Sequence, residues 1–399
     1  MIKTFLLKDS AMNINRLTFL LLIAVFLIIT ACKPDIDEPV IKPPETEDPD
    51  TTDPPIDDSP LVNITSVQFH ADKDAKLIQI NTSTDWSIAA SDSWIQCTAT
   101  SGKGKTAILI GVSENLGVKR NGSLTVTSGT KQHTVAITQN AASKIEFTID
   151  DVKFTMILVE AGSFTRSEYG SYYSHEVELD GFYIAETEVT NALWKAVTDA
   201  LPYDTMSNDI KNNPIFTELN LPVSHIAYAD ITEIFLPKLN QKLNQYFRMT
   251  TEAEWEWAAM GGKYSKRYKY AGGNDIDEVA WTYSNAYGKK NQVKTLKANE
   301  LGLYDMSGNL SEWCSDWYDS YPSQGVKNPT GPTDGTLRVM RGGNYYSSGL
   351  FFDNTECLLN YRYYLVPSCY EVAFPGTEYE RVTYRCETVG FRIALPTNH

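Results

Sequence analysis

The chain is poor in basic charge and in histidine. Its 35 Lys and Arg face 50 Asp and Glu, which gives a formal net charge of −15. Because a nucleic-acid partner requires a basic surface, this balance argues against nucleic acid as a partner. The 5 histidines are scattered and have no metal-ligand spacing. The sequence also lacks a Gly-x-Ser-x-Gly nucleophile elbow and a phosphate-binding loop, so common hydrolase and nucleotide-binding classes gain no support.

The apolar run from Leu17 to Ala31 is shorter than a typical membrane-spanning helix and is typical of a signal-peptide core. It ends in Ile-Thr-Ala-Cys, which resembles a bacterial lipobox. We therefore predict a signal peptide over residues 1–31, with Met12 as a candidate start, and lipidation of Cys32. A buried or membrane-embedded Cys32 is the alternative. The mature protein would be anchored by acyl chains and would not span the membrane.

Residues 32–60 are dominated by Pro, Asp, Glu and Thr after the cysteine. Such a segment repels itself and cannot bury apolar surface, so it predicts an extended acidic stalk. The acids that follow Cys32 resemble the surface-export signals of Bacteroidota lipoproteins. This resemblance implies an outer-membrane lipoprotein exposed at the cell surface, with a periplasm-facing orientation as the alternative.

Residues 61–141 carry short β-type runs separated by turn signals, which suits a β-sandwich of immunoglobulin type. The runs are Leu77–Asn81, Ala107–Val112, Ser123–Thr127 and Thr134–Thr138. Trp86 and Trp94, with the turns between the runs, resemble the BACON domain. That resemblance implies sugar binding, in which both tryptophans would stack on a glycan. A core position for both, and a spacer role for the domain, is the other interpretation.

Residues 145–399 contain several motifs in a fixed order. The stretch from Gly302 to Tyr318 reads GLYDMSGNLSEWCSDWY, the stretch from Arg248 to Ala259 reads RMTTEAEWEWAA, and the chain closes with GFRIA from Gly390. These motifs resemble the formylglycine-generating-enzyme family, also called the sulfatase-modifying factor domain. The resemblance spans roughly residues 154–396 and implies an α+β fold related to C-type lectins.

The predicted fold class is therefore multidomain, with an all-β immunoglobulin-like sandwich followed by an α+β formylglycine-generating-enzyme or C-type-lectin-like domain. Within the second domain, hydrophobic spacing predicts helices over Thr190–Ala200, Asp230–Gln245 and Thr251–Met260. The last of these opens with a capping box formed by Thr251 and Glu254.

Two acids in the central motif, Asp305 and Glu312, lie on either side of Gly308. Carboxylates and free backbone carbonyls are the oxygen ligands that calcium prefers. The family resemblance implies a structural calcium held by the side chains of Asp305 and Glu312 and the carbonyls of Gly308 and Leu310. A loop whose acids face water is the alternative.

Enzymes of the family hold Cu(I) on two cysteines that follow the Arg-Gly-Gly motif. Counted from Arg341, these positions are Ser347 and Phe352. Neither side chain offers a thiolate, which is the ligand that Cu(I) selects. The resemblance therefore implies degenerate catalytic positions and no copper, while a tailoring enzyme that uses other residues stays open.

The segment from Asn344 to Tyr364 is rich in Tyr, Asn, Ser and Arg, which is the composition of binding surfaces. Its predicted ligand-binding residues are Asn344, Tyr345, Tyr346, Asn360, Tyr361, Arg362 and Tyr363. Residues 344–370 resemble the variable region of lectin-fold proteins diversified by retroelements, while a structural remnant of the active site is the alternative.

Cysteines other than Cys32 number five, so pairing cannot be deduced from the sequence. We predict one disulfide among Cys357, Cys369 and Cys386, and free thiols at Cys97 and Cys314. The whole pattern predicts a surface lipoprotein that binds a glycan or a protein without catalysis. An oxidoreductase or protein-modifying enzyme of the same family, and a structural subunit of a surface complex, are the alternatives.

Overall fold

A computed structural model describes residues 60–347, 354–368 and 386–397. The predicted signal peptide, Cys32, most of the stalk, Phe352 and Cys369 lie outside the described residues. Within the described ranges, no helix combines the length and the apolar character that crossing a membrane would require.

The N-terminal domain is built from strands only, in its described residues. They are β1 (Ser66–Phe69), β2 (Asp74–Ile80), β3 (Asp85–Ala90), β4 (Ile95–Cys97), β5 (Ser101–Lys103), β6 (Thr106–Val112), β7 (Arg120–Ser128) and β8 (Lys131–Gln139). Each of the four predicted strand-like runs overlaps one of these strands. In β6, Ile108, Ile110 and Val112 alternate with more exposed residues, as a half-buried strand requires.

These strands form two sheets that share one apolar core. One sheet has the order β1-β8-β7-β3-β5 and the other the order β2-β6-β4. Both sheets contribute side chains to the core, which also contains Trp86. The Trp86 indole N–H donates to the Gly104 carbonyl at 3.1 Å, and Arg120 covers the ring of the half-buried Trp94. The core interpretation of Trp86 is thus confirmed, and Trp94 packs against the same core.

The C-terminal domain adds further strands in short sheets. They are β9 (Lys144–Ile149), β10 (Val152–Val159), β11 (Gly162–Ser167), β12 (Ser174–Leu179), β13 (Phe182–Ala185), β14 (Arg248–Met249), β15 (Ser311–Trp317), β16 (Val326–Lys327), β17 (Arg338–Arg341), β18 (Tyr363–Leu365), β19 (Val389–Phe391) and β20 (Ile393–Pro396). Their orders are β14-β20-β13-β10-β9, β11-β12-β16 and β18-β17-β15-β19. The last sheet holds the central motif beside the Arg-Gly-Gly motif and therefore positions the site.

In the described residues, the α-helices are few and short. They are α1 (Asn191–Thr198), α2 (Asn208–Lys211), α3 (Pro214–Thr217), α4 (Leu236–Leu243), α5 (Glu252–Ala259) and α6 (Ile276–Val279). The predicted helix over Asp230–Gln245 is a π-helical stretch, Asp230–Phe235, followed by α4. Pro237 lacks a backbone N–H, so it cannot make the regular bond to the carbonyl of Glu233.

The two domains meet at the end of β8. The hydroxyl of the buried Tyr183, on β13, donates to the carbonyl of Ala142 at 2.6 Å, and it lies 3.3 Å from the carbonyl of Gly117. Val118 and Ala142 pack with the larger core of the C-terminal domain. The junction is therefore a packed contact as well as a covalent connection.

Candidate functional site

The floor of the site is a buried network of ion pairs between α5 and β17. Glu252 binds Arg341 at 2.9 Å, Arg362 at 2.6 Å and Arg166 at 3.0 Å. Glu256 binds Arg341 at 2.8 Å and Arg166 at 3.1 Å. Burial opposes ionisation of Glu252, but the surrounding arginines hold its pKa down at about 2. These charges are therefore satisfied within the protein.

Above this floor lies the main cleft, of about 520 Å³. The chain from Arg341 to Asn344 forms one wall, and Tyr346, Tyr361 and Tyr363 are among the side chains around it. Only glycine suits the backbone of this wall at position 343. The φ of Gly343 is +70°, and a Cβ there would lie 2.6 Å from the sulfur of Cys357. A roomier cleft of about 630 Å³ holds none of the predicted site residues, so volume alone does not identify the site.

A side cleft of about 280 Å³ adjoins the main cleft through Tyr361 and Tyr363, which line both. Its other aromatic residues are Tyr169, Tyr318 and Tyr364. We define the tyrosine face as the tyrosines of both clefts, namely Tyr169, Tyr318, Tyr346, Tyr361, Tyr363 and Tyr364. The structure thus brings Tyr346, Tyr361 and Tyr363 together with Asn344 around the main cleft, whereas the half-buried Asn360 is not among the residues that line either cleft.

Two predicted ligand-binding side chains are buried instead. Tyr345 is 1% exposed, packs with Ala286 and Leu310, and donates its hydroxyl to Glu387 at 3.1 Å. Arg362 binds Glu252 and stacks near the ring of Tyr321. Each side chain satisfies its polar atoms inside the protein, and direct contact of either one with a ligand stays a prediction. By contrast, Tyr346 is 48% and Tyr363 50% exposed.

Tyr169 is a site residue that the sequence prediction missed. It lies in the loop between β11 and β12, about 190 residues from Tyr361, yet the two rings are 6.0 Å apart. The backbone N–H of Tyr169 donates to the carbonyl of Asn360 at 3.1 Å. The composition of residues 167–174 could have indicated this residue, because they are rich in Tyr, Ser and Gly. The predicted binding segment from Asn344 to Tyr364 is likewise rich in Tyr and Ser.

The two predicted calcium-binding acids belong to one buried acidic cluster. Glu188 accepts the backbone N–H of Leu310 at 3.1 Å and a side-chain N–H of Asn309 at 3.0 Å. Burial, with Asp305 and Glu312 nearby, raises the pKa of Glu188 well above its usual value. Burial also raises the pKa of Asp305 to about 6. Glu188, Asp305 and Glu312 therefore share the positive charge of Arg392.

Glu312 is committed to that arginine. Arg392 donates to both carboxylate oxygens at 2.8 to 3.1 Å, and the Trp255 indole donates to one of them at 2.7 Å. Among the residues that the structure describes, no three acidic, histidine or cysteine side chains form a group that could hold a metal ion. The oxygen donors and the surplus negative charge suit calcium, but Glu312 would have to share its carboxylate between the ion and Arg392. The calcium site stays a prediction.

Comparison with known families covers both domains. The family model of the sulfatase-modifying factor enzyme 1-like domain matches residues 147–396. The chain belongs to this family. A second model, described as a putative binding domain and named BACON, matches residues 84–140.

Individual relatives agree with this assignment. The chain is 35% identical to the chaperone protein LppX of Paenibacillus barcinonensis, over 48% of this chain and 79% of that protein. It is 28% identical to the formylglycine-generating enzyme of Streptomyces coelicolor, over 43% of this chain and 69% of the enzyme. Among solved structures, Treponema denticola variable protein 1 is 28% identical and superposes with a TM-score of 0.53, over 64% of this chain and 100% of that protein.

Within this sulfatase-modifying factor domain, the first predicted copper position, Ser347, holds a buried hydroxyl. Ser347 donates to Glu356 at 2.6 Å and accepts the backbone N–H of Asn344 at 3.0 Å. The second position, Phe352, lies outside the described residues. Cys357 is a free thiol, and burial raises its pKa to about 12. Because a thiol with that pKa is protonated at neutral pH, Cys357 does not present a ready thiolate.

The other cysteines follow the prediction in part. Cys97 and Cys314 are free thiols; Cys314 is buried, whereas Cys97 is only half-buried. Cys386 is disulfide-bonded. The predicted disulfide within the group of Cys357, Cys369 and Cys386 therefore excludes Cys357, and Cys369 lies outside the described residues.

Proposed function

We propose that this protein is a surface lipoprotein whose sulfatase-modifying factor domain binds a ligand, a protein or a glycan, without catalysis. The tyrosine face is the observation that carries the proposal. Its side chains come from three distant parts of the chain and surround two adjoining clefts. Tyrosine provides a large contact area at a low entropy cost, which is why binding surfaces are rich in it.

The names of two relatives support this proposal. LppX is named a chaperone, and chaperones act on other proteins, which favours a protein ligand. Treponema denticola variable protein 1 matches over its full length, and its name supports the interpretation of residues 344–370 as a diversified segment. A near-copy of this segment in the flanking DNA would support diversification by a retroelement, and its absence would count against that idea.

The finer description of fold and location belongs to the same proposal. We assign the N-terminal domain an immunoglobulin-like topology and the C-terminal domain a C-type-lectin-like fold. Cys32 would carry the acyl anchor in the outer membrane, and residues 33–60 would lift the folded domains from it. Calcium, held by Asp305, Gly308, Leu310 and Glu312, would have a structural role, and neither copper nor nucleic acid would take part.

Tyrosine substitutions test the binding proposal directly. The full-length protein is first screened on glycan and protein arrays, and the captured ligand is then titrated against Tyr361→Ala and Tyr363→Ala variants. We expect about tenfold weaker binding or more, as for truncated aromatic residues at the centre of an interface. Tyr246→Ala is the matched control, because Tyr246 is 71% exposed and lines neither cleft. Equal affinity for all variants would contradict the proposal.

Catalysis by the same domain is the alternative that the named formylglycine-generating enzyme supports. Titration with Cu(I), followed by oxygen uptake on a cysteine-containing sulfatase peptide, separates the two functions. A binding protein gives neither a thiolate–copper signal nor turnover. Tight copper binding with peptide oxidation would favour the enzyme. A protein that captures no ligand on the arrays and oxidises no peptide would be better explained as a structural subunit.

A further inference from the structure

The tyrosine face is acidic within the described residues. The main cleft contains Glu356 and Glu387, and the side cleft contains Glu168. The basic residues that line the two clefts are Arg341 and Arg362. The net charge that a ligand meets in the two clefts therefore depends on whether these arginines are accessible to it.

Neither arginine is available to a ligand. Arg341 is 1% exposed and binds Glu252 and Glu256 at 2.9 and 2.8 Å. Arg362 binds Glu252 through two nitrogens, at 2.6 and 3.0 Å, and lies 3.6 Å from Glu168. Their charges are thus neutralised below the face, and Glu168 is partly compensated. Glu356 and Glu387 carry the charge of the main cleft.

These two carboxylates are held in place by hydrogen bonds from neutral groups, although the buried Lys290 also attracts the charge of Glu387. Ser347 donates its hydroxyl to one oxygen of Glu356 at 2.6 Å, and Tyr345 donates to one oxygen of Glu387 at 3.1 Å. Both donors are buried, so each acid is fixed from below by a neutral group. No Lys or Arg of the described chain forms an ion pair with either carboxylate. Among the described residues, no donor reaches the second oxygen of either acid, which is therefore open to a ligand.

Aromatic rings complete the arrangement. Tyr346, Tyr361 and Tyr363 line the same cleft as the two acids. The face of an aromatic ring attracts a cation, and a nearby carboxylate adds a charge-assisted hydrogen bond. A neutral ligand, in contrast, would cover the two carboxylates without supplying a positive charge, and a negatively charged ligand would be repelled.

On the basis of the proposed binding function, we infer that the main cleft receives a lysine or arginine side chain of a protein partner. Glu356 and Glu387 bind its charge, and the tyrosines contact its aliphatic stem and its cationic group. Buried Ser347 and Tyr345 act as positioning residues for the two acids. The ligand class is thereby narrowed from a protein or glycan to a protein with an exposed basic segment.

A charge-removal experiment on the full-length protein tests this inference. The probe is a fluorescent peptide of alternating arginine and glycine, with the glutamate–glycine peptide as its counterpart. We expect the Glu356→Gln, Glu387→Gln double variant to bind the arginine peptide at least about tenfold more weakly. The double variant Glu114→Gln, Glu233→Gln removes the same charge from exposed positions outside both clefts and should retain wild-type affinity. Matching thermal unfolding curves show that the variants are folded.

The possible results separate the inference from the function on which it rests. Equal losses in both double variants would show general attraction to an acidic protein and would overturn the inference. If Tyr361→Ala weakens capture of an array ligand but the Glu356→Gln, Glu387→Gln double variant does not, the binding function holds and the inference of a basic partner is wrong. If neither change affects any ligand, both fail.

Discussion

At the scale of single residues, the acidic cluster beneath the central motif holds three buried carboxylates near one arginine. Glu188, Asp305 and Glu312 are buried, while Glu312 takes the guanidinium of Arg392. Such a cluster either binds protons or binds a cation, because isolated buried charge is costly. Its behaviour toward pH and calcium can therefore be predicted.

Asp305→Asn should flatten the pH dependence of stability in chelator. The pKa of folded Asp305 is raised to about 6 from an ordinary value of 3.8. The folded state then binds more protons than the unfolded state, so the free energy of unfolding falls as pH rises from about 4 to 6. Asn retains an oxygen for the backbone N–H of Lys294 but cannot titrate. Urea titrations at several pH values measure the slope.

Asp151→Asn is the control for this measurement, because Asp151 is exposed. Its slope should equal that of the wild type, and an unchanged slope in Asp305→Asn would contradict the explanation.

Thermal unfolding tests the predicted calcium site. Added calcium should raise the melting temperature of the wild type at pH 7, because binding to the folded state stabilises it. A melting temperature that is equal in calcium and in chelator would remove the calcium site from the proposal.

At the scale of elements, the capped first turn of α5 holds Glu252 in position within the buried network of ion pairs. Thr251 accepts the backbone N–H of Glu254 at 3.2 Å, and Glu254 accepts the backbone N–H of Thr251 at 3.0 Å. Asp316 on β15 accepts the N–H of Glu252 at 2.9 Å. The predicted capping box is therefore confirmed, and a side chain from β15 supplements it. This cap fixes the position of Glu252 under the cleft.

Thr251→Ala should lower the free energy of unfolding by about 1 kcal/mol, the usual cost of losing an N-cap side chain. It should also weaken ligand binding, because fraying of α5 displaces Glu252 and with it Arg362. Urea denaturation measures the first effect. Thr251→Ser restores the hydroxyl and should recover most of the stability, whereas a Ser variant as unstable as the Ala variant would mean that the cap is not the cause.

At the scale of the whole molecule, the contact between the domains makes the N-terminal domain part of the folded unit. Tyr183→Phe removes the hydrogen bond to Ala142 and leaves that carbonyl without it. We expect a loss of about 1 to 2 kcal/mol in the free energy of unfolding, which is typical of one buried hydrogen bond. Tyr287→Phe alters a tyrosine that is 89% exposed and should have little effect. Equal stability of both variants would indicate that the hydroxyl contributes nothing to the junction.

Local patterns in the sequence predicted many of the elements correctly. Alternating apolar residues marked β6, and a capping residue followed by periodic apolar positions marked α1 and α5. The predicted helix from Asp230 is present, but it begins as a π-helical stretch that the spacing of apolar residues did not indicate. The family motifs extended this prediction to the whole C-terminal domain, which the family match confirmed.

The sequence by itself determined the family, the serine at the predicted copper position 347 and the tyrosine-rich segment, because each can be seen in neighbouring residues. Only the tertiary structure decided which side chains reach the surface. It buried Tyr345 and Arg362, added Tyr169 from a distant loop, and brought Glu387 and Glu356 to the same cleft. Composition cannot predict such an outcome, since burial depends on partners that lie far away in the chain and meet only when the domain is packed.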